Sequence, residues 1–268
     1  MINLMSLDTA RLEPRPGHFP WPASPFGPNE IDLLCCQSVP HDPTGHVPAN
    51  RWLPPFPGLT CSCFAAGRPR RPAAPDDGPP PGGLAICTGP EVWVLNSGSF
   101  TIGEGDAAAL VQFALIRKHG APLLAFNLQL SPLRDIWLRQ LHELFAHALI
   151  RSSHGAVALC ADRAIELSVR QRQQLTARSG YILRQTPLTS SGNDLLGLFT
   201  ARRPKTPTTG SYWSARAATV NAGHASNPSV STMTVEIKRI NPGTPRRLAF
   251  PLSFREQWLG SRKQRALA

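Results

Sequence analysis

Three groups of residues in this 268-residue chain have types and spacings that could do chemistry. The first is His142-Glu143 with His147. A zinc-protease helix carries two histidines four apart, on one face, with a glutamate beside the first. Here the histidines are five apart, so at a helical step of about 100° they point about 140° away from each other. Glu143 and His147, four apart, make a helix-surface pair instead. The second group is Gly103-Glu104-Gly105-Asp106-Ala107-Ala108, which fits G-x-G-x-x-A. Such a loop before a helix can hold a phosphate on backbone N–H groups. Glu104 and Asp106 bring negative charge to the proposed anion, and Asp106 would cap the helix itself. A turn followed by a capped helix is the reading taken. The third group is Cys35, Cys36, Cys61 and Cys63, with His41 and His46 nearby in sequence. Zinc knuckles use Cys-x2–4-Cys pairs, and this arrangement has none. Reduced thiols are expected. Cys160 sits in an apolar run and reads as a core residue. There is no Gly-x-Ser-x-Gly elbow. No catalytic, cofactor-binding or metal-ligating residue is therefore assigned, no cofactor is expected, and the chain is not read as an enzyme.

The elements that would position these residues concentrate between 91 and 203. Glu91 to Asn96 reads as a strand, Ser97-Gly98-Ser99 as a turn, and Phe100 to Ile102 as a return. Residues after Asp106 read as a helix through His119, with Gly120 at its C-terminal cap. Leu124, Phe126, Leu128 and Leu130 alternate with Ala125, Asn127 and Gln129, the period of a strand. Ser131-Pro132 opens a helix with Leu133, Trp137, Leu141, Leu144, Phe145 and Ala148 on one face, ending near Gly155. Residues 156–160 read as a strand. Val169 to Arg178 reads as a helix capped by Ser168 and stopped by Gly180. Residues 181–185 and 195–200 read as strands, and residues 163–167 fit either type. Met233, Val235 and Ile237 alternate as a further strand, and Ser253 to Glu256 is a capping box.

Residues 1–90 hold 19 of the 28 prolines. Proline removes a backbone donor and breaks helices and central strands, so this segment reads as a mostly disordered arm. The net charge of +11 is concentrated at the other end. Residues 204–268 carry 10 basic and 2 acidic groups and read as a basic, mostly irregular tail. Arg246, Arg247, Arg262, Lys263 and Arg265 there could meet an acidic partner such as nucleic acid. No apolar run is long enough to span a membrane, and residues 1–16 do not read as a secretory signal. The domain map is thus an arm over 1–90, an α/β domain over 91–203 and a tail over 204–268.

Within residues 121–203 the order is strand, long helix, strand, helix, Gly-aromatic strand, last strand. It is carried by LLAFNLQL, RDIWLRQLHELFAH, AVALC, VRQRQQLTARSGYILRQTPL and LLGLF. This order resembles ornithine decarboxylase antizyme. Gly180-Tyr181-Ile182 matches that family's Gly-aromatic step into a core strand, and Asp135-Ile136-Trp137 with Leu141 matches the start of its long helix. The resemblance implies an acetyltransferase-like α/β sheet with packed helices and no cofactor site. It implies a non-enzymatic inhibitor that binds an ornithine decarboxylase subunit, delivers it to the proteasome and so controls polyamine levels, in the cytoplasm or nucleus, from a frameshifted message. Exposed positions on the two helices, Arg134, Glu143, Arg170 and Arg172, are the expected partner-binding residues. Two other classes compete. An acyl-CoA-dependent acyltransferase of the same fold would use Phe100-Thr-Ile-Gly103-Glu-Gly105 on the cofactor pyrophosphate. A nucleic-acid-binding or viral accessory protein would use the tail.

Overall fold

The computed structural model describes residues 1–9, 30–39, 58–67, 82–152, 156–161, 167–177, 179, 181–185, 196–201, 212–218 and 230–240. The first four strands are β1 (Ile2–Asp8), β2 (Leu33–Val39), β3 (Thr60–Ala65) and β4 (Gly83–Thr88). All come from the proline-rich segment, and none contains a proline. The meander β5 (Trp93–Ile102), β6 (Ala109–Lys118) and β7 (Ala121–Gln129) follows. Then come α1 (Arg134–Ala146), α2 (Ala148–Ser152), β8 (Ala156–Ala161), α3 (Val169–Thr176), β9 (Tyr181–Gln185) and β10 (Leu196–Ala201). The last described strands are β11 (Tyr212–Ala218) and β12 (Val230–Ile240).

These strands make two six-stranded sheets. Sheet one has the order β11-β12-β1-β2-β4-β3, and sheet two the order β5-β6-β7-β8-β10-β9. Most pairs are antiparallel, but β1 runs parallel to β2 and β7 parallel to β8. The sheets stack face to face. Ile2, Leu4, Leu33, Cys35 and Ile86 of sheet one pack on Ala114, Ile116, Leu123, Ala125, Ala156, Ala158 and Cys160 of sheet two. Alanines dominate the second set, and small side chains let two pleated surfaces approach closely. The opposite face of sheet two carries the helices. Trp137, Leu141, Leu144 and Phe145 of α1 pack with Val111, Phe113, Leu124 and Phe126.

An acetyltransferase-like sheet is therefore not what this sequence forms. The arm and tail readings are corrected with it, since β1 to β4 and β11 with β12 build all of sheet one. The expected turn at Ser97-Gly98-Ser99 lies inside the continuous strand β5, paired to Ala114, Phe113 and Gln112. The expected helix after Asp106 is a single 3-10 turn, Gly105–Ala107, and then β6. Strand β6 is central and covered on both faces, which makes its sequence a nearly unbroken apolar run. Gly120 is a hairpin residue rather than a helix cap. His119 and Gly120 have φ of 47° and 79° between β6 and β7, the left-handed pair that a tight hairpin turn requires.

Other expectations hold. Trp137 and Leu141 are buried on the sheet-facing side of α1. Ser168 caps α3 in a reciprocal box with Gln171. Helix α1 starts later than expected: Leu133 is its N-cap, and Ser131 Oγ accepts a hydrogen bond from the Leu133 N–H at 3.3 Å. The helix breaks at His147 before α2. Gly155, Arg178, Gly180, residues 163–166 and the capping box at 253–256 lie outside the described residues.

Candidate active site

Parallel pairing puts the carboxyl ends of β1 and β2 side by side, and does the same for β7 and β8. The two pairs meet at one end of the sandwich, because Gln37 near the end of β2 bonds Asn127 near the end of β7. Gln37 Nε2 donates to Asn127 Oδ1 at 2.7 Å and to Ser6 Oγ at 3.0 Å. Asn127 Nδ2 donates to the Cys36 and Ala85 carbonyls at 2.9 and 3.0 Å and to Gln112 Oε1 at 3.3 Å. Ser6, Gln37 and Asn127 are fully buried, and Gln112 nearly so. A buried amide must be hydrogen-bonded to be tolerated, so this network fixes the distance and register of the two sheets at this end.

The residues just beyond the network form its outer rim. Asp8 is two residues from Ser6 and shares its face, because strand side chains alternate. It lies opposite Gln37 in the parallel register and is 6 % exposed. Gln129 is two residues from Asn127 and half-buried. Thr9 Oγ1 lies 2.9 Å from the Gln37 carbonyl and 2.8 Å from the Ser38 carbonyl. Ser38 has φ of 57°, in the left-handed region, at the point where the β2–β4 register shifts. This conformation is costly for a residue with a Cβ, by about 1–3 kcal/mol, and persists where the surroundings enforce it. The enforcing partner is Gly82, whose backbone packs on the Ser38 carbonyl so closely that a Cβ there would overlap it. Bulges of this kind re-aim side chains beside active sites. Carboxyl ends of parallel strands are also where α/β sheets bind ligands.

The residues singled out from the sequence lie elsewhere. Arg134, Glu143 and Arg170 are exposed and Arg172 is half-buried, all on the helix layer over sheet two. Glu143 Oε2 accepts the Gly103 N–H at 2.8 Å, so the glycine loop is tied down by a carboxylate and opens a strand, with no helix N-terminus to meet an anion. His142 is exposed. His147 stacks on Phe100 with ring centroids 4.1 Å apart and planes 8° apart. Cys35 and Cys36 on β2 are separated from Cys61 and Cys63 on β3 by the intervening β4. His41, His46 and residues 241–268 lie outside the described residues.

Burial pushes the His147 imidazole below its usual pKa, against an opposing pull from Glu143. Its Nδ1 also accepts the Leu149 N–H at 3.3 Å, which needs an unprotonated nitrogen. An unfolded histidine titrates near about 6.5, so on acidification the unfolded state takes up the proton first. This contribution to stability is complete above that pH and is lost as pH falls through it toward the lower folded value. Thermal midpoints measured from pH 8 to pH 5 should fall, and His147→Gln should flatten the fall. An unchanged slope in the variant would show that His147 does not carry it.

No family model matches the sequence, and no curated protein matches it. The architecture nevertheless has solved counterparts: it is the mixed two-sheet fold seen in endonuclease/exonuclease/phosphatase proteins. The chain is similar to a mannosyl-6-phosphatase of Bacteroides thetaiotaomicron, with 14 % identity and a TM-score of 0.50 over 89 % of this chain and 100 % of that one. An endonuclease/exonuclease/phosphatase protein of Bacteroides vulgatus gives 10 % identity and a TM-score of 0.52 over 89 % and 99 %. The human Nocturnin catalytic domain with bound sulfate gives 13 % identity and 0.51 over 89 % and 94 %.

This likeness overturns the antizyme resemblance. The described strands and helices in 121–203 belong to sheet two and its helix layer, and β1 to β4 with β11 and β12 add the second sheet of a sandwich. The readings that followed from the resemblance are corrected with it: a non-enzymatic decarboxylase inhibitor, polyamine control, proteasomal delivery and a frameshifted message.

Proposed function

We propose that this protein is a phosphoester hydrolase acting at the mouth formed by the ends of β1, β2, β7 and β8. The observation that carries the reading is the strained Ser38 bulge beside Asp8, set on the rigid Gln37–Asn127 network. Structures of the same fold include a sugar-phosphate phosphatase and a domain holding a sulfate, an anion of phosphate shape. In this reading the Asp8 carboxylate accepts a proton from the attacking water. The Gln129 amide and the Ser38 hydroxyl donate to phosphate oxygens.

Phosphoryl transfer is often assisted by divalent cations held by carboxylates. Among the described residues no three His, Cys, Asp or Glu side chains gather for such a role. Asp8 is the one carboxylate in the cluster described above, so no step is assigned to a metal.

The charge balance favours a polyanionic substrate, a nucleic-acid phosphodiester over a small sugar phosphate. Residues 204–268 are strongly basic and supply the sequence-independent part of binding in this reading. The test is phosphate or nucleotide release by the full chain from sugar phosphates, mononucleotides and single- and double-stranded oligonucleotides, with and without added magnesium. Release from oligonucleotides that weakens steeply with salt is expected. A folded protein that releases nothing from any of them would overturn the hydrolase reading.

A further inference from the structure

Six cysteines are present, all free, and five of them lie in β2, β3 and β4. They differ sharply in access. Cys35, Cys36 and Cys160 are completely buried. Cys61 is exposed on β3, the edge strand of sheet one. In the β3–β4 ladder its direct partner is Cys87, which is itself fully buried. Directly opposed residues in an antiparallel pair have Cα atoms about 4.5–5.5 Å apart and project to the same face. A disulfide spans Cα separations of about 4.4–6.8 Å. Each thiol is the largest influence on the other's ionisation, and the Cys61 thiol also donates to the Cys63 carbonyl at 3.7 Å. The ladder shifts register between Cys61 and Cys63, and Cys63 is paired with Ile86, not with a cysteine.

We propose that Cys61 and Cys87 are a thiol pair that a low-molecular-weight disulfide, of the glutathione disulfide class, converts to a cross-strand disulfide. The Cys61 thiolate attacks one sulfur of glutathione disulfide, forming a mixed disulfide and releasing one glutathione thiolate. The Cys87 thiol gives up its proton, and its sulfur attacks Cys61 Sγ and displaces the second glutathione thiolate. The protons from the two protein thiols end on the two glutathione thiols. The protein loses two electrons and glutathione disulfide gains them.

The chemistry of the two sulfurs suits their order of action. Hydrogen bonding from Cys87 holds the Cys61 thiol below its usual pKa, against the opposing effect of burial, so the accessible sulfur is the more ionised one. The same hydrogen bond is the largest cause raising Cys87, with burial next. Once Cys61 is capped by glutathione the largest cause raising Cys87 disappears, while burial and the Cys36 and Cys35 thiols still raise it, so resolution of the adduct is the slower of the two steps. Cys63 is pushed up to about 12 by burial and by Cys35 and Cys61, and it does not compete at neutral pH.

The experiment treats the native full-length chain with glutathione disulfide, quenches it with acid and maps the peptides without reduction. The expected result is a cross-link between fragments 52–70 and 71–117 that dithiothreitol reverses. It should be absent in Cys61→Ser. Cys87→Ser should instead trap one glutathione on Cys61, and Cys35→Ser should behave as the parent. The oxidised protein should melt at a higher temperature than the reduced one. A stable glutathione adduct on the parent with no cross-link would overturn the proposal. So would a cross-link that survives in Cys61→Ser, or a native protein in which Cys61 stays unmodified.

Discussion

Asn127→Leu is expected to cost about 4 kcal/mol, a large share of the ~5–15 kcal/mol by which domains are stable. The substitution keeps side-chain volume while removing both ends of the amide. The Cys36 and Ala85 carbonyls then each lose a donor, and Gln37 Nε2 loses its shortest acceptor. Each buried group left unpaired costs about 1–3 kcal/mol, and the partial relaxation of neighbours sets the total below the sum. Denaturant titration of parent and variant measures it. A midpoint shift worth less than ~1 kcal/mol would show that the amide network does not hold the two sheets together.

The opposite end of the sandwich has its own inter-sheet tie, and breaking it should be nearly as costly. Lys118 Nζ, at the end of β6, lies 2.7 Å from Asp32 Oδ1 just before β2. Both side chains are mostly buried, at 15 % and 8 % exposed, and Asp32 Oδ2 also accepts the Asn3 N–H at 2.9 Å. Lys118→Met leaves a buried carboxylate with only that backbone donor. Loss of one partner of a buried pair costs about 3–5 kcal/mol, and the surviving hydrogen bond puts this case near about 3 kcal/mol. Lys118→Met combined with Asp32→Asn should recover much of the loss, because it removes the unpaired charge. A double variant no more stable than Lys118→Met alone would mean that the ion pair is not the source of the effect.

Local signals were readable where one element faces one environment. Ser168 marked the start of α3, and the sheet-facing stripe of α1 was visible in Trp137 and Leu141. Strands β7, β8, β9 and β12 showed in short apolar or alternating runs. The reading failed where an element is buried on both sides. In β6, Val111 and Phe113 face the helices while Ala114 and Ile116 face sheet one, and the resulting run has no strand alternation to detect. The prolines misled for a different reason. Averaged over residues 1–90 they suggest an arm, but every one lies outside β1 to β4. Position, and not abundance, carries the information, because proline is disfavoured within central strands and tolerated at strand starts, as at Pro122 beside the first residue of β7.

The candidate site was illegible for a third reason. Asp8, Gln37, Ser38, Asn127 and Gln129 are common residues with no motif spacing. They come together only through two parallel pairings and the stacking of sheets, and the Gln37–Asn127 bond alone joins positions 90 residues apart. One clue was present in the runs LLCCQSV and LLAFNLQL, each of which places an amide inside an otherwise apolar strand. A buried amide implies a partner elsewhere, but one sequence does not say where.

In the proposed function, phosphoester hydrolysis occurs at the carboxyl ends of β1, β2, β7 and β8. Its most direct test is the rate of product release by Asp8→Asn beside Glu91→Gln, an exposed position at the Lys118 end of the sandwich. Each variant is checked for an unchanged melting temperature. Loss of a positioned general base lowers the rate by about 100-fold or more. That loss is expected for Asp8→Asn, and the parent rate for Glu91→Gln. A folded Asp8→Asn protein that turns over substrate at the parent rate would contradict it.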